Sequence, residues 1–346
     1  MFVTTRISVA FTIVMLLCSA AVAQDIHEVM FEPQPNSELL ADVPYFDSLA
    51  TTSPSVSHLD HQWILSSRHL TYSVNAANLD RPELRAAELD GFGNMLPLTL
   101  EELEQKLDPS RQLVVYVHGN RASCNVALDR SRRIYQSIRR CRDPSSIDWI
   151  AFSWPSTKEG CLLKDFREKA DRTNAQSLYL AWFIRRQLLL GTRVTMIGYS
   201  YGGRVISGAL HCLGGGSLAG RCLPGERLCN ANVKVGLVAP AMGADWLAPN
   251  GYHAMSSQNM ESLLLFYNSR DAVLKRYWRL ERMRNSKALG YVGVKCVAAR
   301  SDGSTVKVYS KNYAKFVGLR HVELDYYDAQ KGNAGCQMAR LIDNKF

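Results

Sequence analysis

The stretch Gly198-Tyr199-Ser200-Tyr201-Gly202 sets a serine between two glycines. A short apolar run, Val194 to Ile197, precedes it, and a run of small and apolar residues, Arg204 to Leu210, follows. The first run reads as a buried strand and the second as a helix, so the serine sits on a sharp strand-to-helix turn. Such a turn strains the serine backbone and tolerates only small residues two positions to either side. In return the hydroxyl stands at a helix N-terminus, where the Tyr201 N–H and the helix dipole can face a developing oxyanion. A serine hydroxyl is a weak nucleophile until a base takes its proton. That base is normally a neutral imidazole steered by a buried carboxylate, and in this strand-turn-helix setting the chain order is Ser, then acid, then His. Asp271 fits the acid because it comes just after the apolar run Leu263 to Tyr267. Its alternative role is a helix N-cap ahead of Ala272-Val273-Leu274. Glu323 and Asp325 are weaker rivals, lying too close in sequence to the candidate base. His321, late in the chain, fits the base; the alternative is a surface histidine in a basic loop. His253 precedes the acid and is out of order, and His211 reads as a packing residue of the helix after Ser200. After the apolar run Leu113 to Val117 come His118-Gly119-Asn120. His118 reads as a brace for this loop. Gly119 allows the backbone to approach a substrate carbonyl, and the Asn120 N–H is expected to be the second oxyanion donor, partnering Tyr201.

These residues need a scaffold that brings distant strand ends together. Short apolar runs recur at Trp63–Tyr72, Leu113–Val117, Trp149–Ser153, Val194–Ile197, Val233–Val238, Leu263–Tyr267 and Val292–Ala298. Helical stretches lie between them, at Leu98–Leu107 (Thr99 and Glu102 at capping-box spacing), Val126–Ile138 and Asp171–Leu190. The alternation predicts an α/β fold with a mainly parallel central sheet and helices on both faces. In such sheets a ligand lies beyond the C-terminal strand ends, where every candidate residue falls.

The chain of 346 residues opens with one positive charge, an apolar run from Ile7 to Leu17, and Ala21-Val22-Ala23. This reads as a secretory signal over 1–23, cleaved near Ala23, followed by an extended arm over 24–60 and one domain over 61–346. Export is therefore expected, to the periplasm or the exterior. The formal charge is +9, or +8 without Arg6. Solvated helix faces are the preferred account of it, and attraction to an anionic wall or membrane surface is the sharper one. No nucleic-acid recognition motif is present. Of nine cysteines, Cys18 falls within the signal; the remaining eight, an even number, predict disulfides in an exported chain. Cys296 with Cys336, and Cys124 with Cys161, are the expected pairs. Neither a metal nor a cofactor is called for by any spacing.

Four motifs together resemble the α/β-hydrolase superfamily, and within it bacterial exported α/β-hydrolases of unassigned function. They are His118-Gly119, Ser153-Trp154-Pro155-Ser156, Gly198 to Gly202, and Asp271-Ala272-Val273-Leu274. The resemblance runs from Trp63 to His321 and implies Ser200, Asp271 and His321 as nucleophile, acid and base. It implies a serine hydrolase, foremost a carboxylesterase, with an amidase, a thioesterase or a non-catalytic binding protein of this fold as alternatives; the shortness of 241–262 favours small or moderate esters over long-chain triglyceride. The family usually has His before the nucleophile and Met after it. Here both are tyrosines, a change expected to alter the pocket wall. The acid motif reads D-A-V-L where the family has D-x-A-L. Secreted cutinase-like esterases share the Gly-Tyr-Ser elbow but hold acid and base closer together in sequence. The stretch 241–262, with Trp246, Tyr252 and Met255, is long enough for a small apolar wall and too short for a large lid.

Overall fold

The computed structural model describes residues 60–90, 94–142, 146–160, 162–279 and 286–346. The expected signal, and the arm up to residue 59, lie outside them. Strand β1 (His61–Ser66) enters the sheet, and β2 (Arg85–Leu89) and β3 (Met95–Leu98) fold back beside it antiparallel. Helix α1 (Leu100–Lys106) follows, opened by the expected capping box: the Thr99 hydroxyl accepts from the Glu102 N–H and the Glu102 carboxylate accepts from the Thr99 N–H. The chain then alternates through β4 (Gln112–Val117), α2 (Cys124–Arg139), β5 (Ile147–Ser153), α3 (Leu162–Leu189), β6 (Arg193–Tyr199) and α4 (Tyr201–Leu213). A small hairpin, β7 (Ser217–Leu218) with β8 (Arg221–Cys222), leads to β9 (Val233–Val238) and β10 (Met260–Tyr267). Helix α5 (Leu289–Val292), strand β11 (Lys307–Asn312) and helices α6 (Ala314–Val317), α7 (Glu323–Tyr327) and α8 (Ala334–Ile342) complete it.

Among the described residues nine strands form one sheet in the order β11-β10-β9-β6-β4-β5-β1-β2-β3, with β1 and everything to the β11 side parallel. The central strands β4 and β5 are buried along their whole length, which explains their continuous apolar sequences, Val114-Val115-Tyr116-Val117 and Trp149-Ile150-Ala151-Phe152. Helices α3 and α4 pack on each other over one face, and α2 and α8 over the other. Among the described residues one disulfide, Cys141–Cys336, joins the segment just after α2 to α8. No described helix is long and apolar enough to cross a membrane.

Four expectations need correction. The strand expected to reach Tyr72 stops at Ser66, where Ser67 turns inward and donates to Gln176 at 2.5 Å on α3. Val292–Ala298 is not a strand: Gly293 turns the chain at positive φ, and Val294 and Val297 pack against the core without pairing. The ninth strand is instead the polar, exposed edge Lys307–Asn312. Helix α3 begins at Leu162, not Asp171, because its charged first turns hide a buried pair, Lys169 and Asp165, 3.0 Å apart. The disulfide pairing also differs from the expected one. Cys296 and Cys124 carry free thiols, and Cys336 bonds to Cys141. Cys161 lies outside the described residues.

Candidate active site

Ser200 is the turn between β6 and α4, with φ +50° and ψ −116°, a backbone state that costs a non-glycine residue on the order of 1–3 kcal/mol. The surrounding structure holds it there. Its N–H donates to Val238 O at 3.0 Å, and its carbonyl accepts from the N–H groups of Gly203 and Ala241, each at 3.1 Å. A Cβ at Gly202 would run into the Val117 carbonyl, and one at Gly119 would lie 2.8 Å from the Tyr199 ring and 3.2 Å from Ser200 Cβ. Only glycine lets β4, its following loop and the elbow approach this closely.

The last strand ends on the acid side of the site converge on Ser200. Asp271 is fully buried. Its Oδ1 accepts from the Val273 and Leu274 N–H groups, both at 2.9 Å, capping the short 3-10 helix Leu274–Arg279. Its Oδ2 lies 2.6 Å from His321 Nδ1. His321 Nε2 in turn lies 3.0 Å from Ser200 Oγ. Because Oδ2 can only accept at this distance, the imidazole carries its proton on Nδ1 and leaves Nε2 free to take the serine proton. Asp271 therefore fills both of its candidate roles, one with each oxygen.

Beside the serine, the His118 loop is fastened to the end of β5. The Trp154 N–H donates to His118 Nε2 at 3.1 Å, the Trp154 indole donates to His118 O at 2.8 Å, and His118 Nδ1 donates to Gly119 O at 2.8 Å. This pattern needs a neutral imidazole, and burial pushes the His118 pKa well below its ordinary value. Ser156 accepts from the Ala122 N–H at 3.3 Å, and Arg68 reaches Ser153 Oγ at 2.6 Å and Ala122 O at 2.9 Å. The Ser153-Trp154-Pro155-Ser156 stretch is thus the clamp on the His118-Gly119 loop. The Asn120 N–H donates to no acceptor among the described residues, and the Tyr201 N–H opens the first turn of α4.

A parallel sheet with a strained serine elbow after β6, an acid after β10 and a histidine after β11 decides the architecture. The chain has the α/β-hydrolase fold. No protein-family model and no curated protein matches its sequence. Among solved structures it is similar to esterase B from Lactobacillus rhamnosis, at 13% identity over 98% of this chain and 96% of that one, with a TM-score of 0.38. It is also similar to an esterase from Pyrobaculum calidifontis (14% identity, 78% and 83% covered, TM-score 0.34). A third is esterase 2 from the planctomycete Thermogutta terrifontis (11% identity, 70% and 83% covered, TM-score 0.33). Likenesses this distant say nothing of substrate or chemistry.

The structure brings Ser200, Asp271 and His321 into one line, with Tyr201 next to the serine in sequence and Asn120 one residue beyond Gly119, whose loop lies beside it. The rival carboxylates lie elsewhere: Glu323 accepts from the Tyr116 hydroxyl at 2.9 Å, and Asp325 pairs with Arg320 at 3.1 Å. His253 is buried against Ser207 (2.8 Å), and His211 accepts from the Met255 N–H, so both are packing residues of α4 and its neighbours. Both tyrosines of the elbow are buried. Tyr201 is buried and donates to Phe166 O at 3.1 Å on α3, while Tyr199 is buried beneath His321. Trp246 meets Tyr252 and His253 edge-on, Tyr252 stacks on His253, and Arg204 of α4 lies over the Trp246 ring. Sequence reasoning missed Arg68, which no motif marks, and the tyrosine at 116, hidden in an apolar strand.

Proposed function

We propose that the chain is an exported serine hydrolase, a carboxylesterase acting on small or moderate esters through an acyl-enzyme. The observation that carries this reading is the unbroken line Asp271 Oδ2, His321 Nδ1, His321 Nε2, Ser200 Oγ, ending at a strained elbow. In this mechanism His321 Nε2 takes the proton as Ser200 Oγ attacks the ester carbonyl, and Asp271 stabilises the imidazolium. The Asn120 and Tyr201 N–H groups receive the oxyanion, each contributing on the order of 3 kcal/mol to the transition state. Collapse returns the proton to the leaving alcohol, and water repeats the sequence on the acyl group. Export rests on residues 1–23, and the Cys141–Cys336 bond supports it, since such bonds persist in oxidising compartments.

Covalent labelling of the mature protein with a fluorophosphonate, followed by peptide mapping, tests the reading. The probe is expected on Ser200, and Ser200→Ala should lose both labelling and short-chain p-nitrophenyl ester hydrolysis with the fold intact. A wild-type protein that takes no probe and hydrolyses no ester, thioester or amide would leave the binding-protein alternative.

A further inference from the structure

The base is held from below by two phenols that belong to other strands. Tyr199, on β6 immediately before the serine, donates from its hydroxyl to the His321 carbonyl at 2.9 Å. Its ring lies beneath the His321 imidazole, centroids 5.2 Å apart and planes 30° apart. A Cβ on Gly119 would lie 2.8 Å from the same ring, so the ring borders both the base and the loop beside the serine. Tyr116, on the neighbouring strand β4, donates to Glu323 Oε2 at 2.9 Å. Tyr116 stands opposite Ile197 in the β4–β6 register, and Tyr199 is two residues beyond Ile197, so both phenols leave the sheet on one face. Burial first, and Glu323 second, push both phenol pKa values well above the ordinary value, which keeps each hydroxyl a donor.

We propose that Tyr199 and Tyr116 are positioning residues for His321, pinning the tripeptide His321-Val322-Glu323 at its two ends to the strands that carry the serine and its flanking loop. This rests on the proposed role of His321. The base arrives on a segment after an exposed edge strand, and Leu319 and Arg320 just before it are exposed. The edge strand alone is a poor platform for an imidazole that must lie 3.0 Å from Ser200 Oγ. The two phenols instead refer the base to β4 and β6, the central strands. Asp271 fixes the rotation of the ring, and the phenols fix where its backbone stands.

Tyr199→Phe keeps the ring and the stacking and removes the donor. The kcat on a short-chain ester and the fluorophosphonate labelling rate should each fall on the order of tenfold to 10²-fold, the scale of a small misplacement of a catalytic group. KM should stay within about twofold, as expected when substrate binding is untouched. The low-field proton resonance of His321 Nδ1–H against Asp271 should shift or broaden. Tyr116→Phe should act in the same direction, and it serves as the test should Tyr199→Phe not fold. Wild-type kcat, labelling rate and His321 resonance in the variant would overturn the brace, while loss of labelling in Ser200→Ala would leave the hydrolase reading standing. If the wild type takes no probe, that reading fails; the His321 resonance needs no turnover and still decides the brace.

Discussion

Asp271→Asn isolates the acid's effect on the base from its effect on the fold. Oδ1 accepts two backbone N–H groups at 2.9 Å, and only an oxygen can do so. The asparagine is therefore forced to keep its oxygen on that side and to turn its NH2 toward His321 Nδ1, where Oδ2 stood at 2.6 Å. An NH2 donates, so Nδ1 must present its lone pair and the imidazole proton moves to Nε2. Nε2–H then points at Ser200 Oγ from 3.0 Å and cannot accept its proton. A base locked in the wrong tautomer costs on the order of 10⁴ in kcat, or about 5.4 kcal/mol of barrier. Because the cap on the Leu274 helix survives, the melting temperature should hold within a few degrees. Asp271→Ala removes the cap as well and should lose about 1 kcal/mol of stability or more in addition. The assay is p-nitrophenyl ester turnover at neutral pH beside a thermal melt. A folded Asp271→Asn variant that loses less than about tenfold would refute both the tautomer argument and the role of Asp271.

Four further outcomes are expected. Combining Ser200→Ala with His321→Ala should be little worse than either alone in residual rate, because the members of one unit are strongly non-additive. Gly202→Ala drives a methyl into the Val117 carbonyl and should destabilise the fold by roughly 1–3 kcal/mol or abolish soluble expression, read by chemical denaturation. His118 and His253 are buried with pKa values well below the ordinary one, chiefly through burial. The unfolded chain binds protons there first, so stability is full above about pH 6.5 and falls as pH drops below it, by up to about 1.4 kcal/mol per pH unit for each imidazole. A melting temperature that rises between pH 6.5 and 5 would contradict this. Reducing the Cys141–Cys336 bond should cost about 2–5 kcal/mol, measured as a lowered denaturation midpoint in dithiothreitol.

The catalytic candidates were legible because their chemistry forces residue types into fixed places. A strained elbow needs Gly202, a close loop needs Gly119, and buried parallel strands such as Val114–Val117 cannot be other than apolar. What stayed hidden obeys no such period. Lys307–Asn312 pairs on one side only and keeps its polar side chains in water, so its sequence reads as loop. The first turns of α3 look solvated because Lys169 and Asp165 neutralise each other inside the fold. Tyr199 stands in the motif in plain view, yet its contact with His321 crosses 122 residues, and no local pattern records it. Cysteine pairing failed for the same reason, since parity is a property of the chain and proximity a property of the fold.

The Cys141–Cys336 bond spans 195 residues, and Ser200, Asp271 and His321 all lie inside the loop it closes. A single peptide cut anywhere within that loop leaves two pieces still joined by sulfur. Neither the serine nor its base can then diffuse away from the other, however the cut falls between them. Nicking and loss thereby become separate events. The nicked form would run as one band without reductant and as two with it.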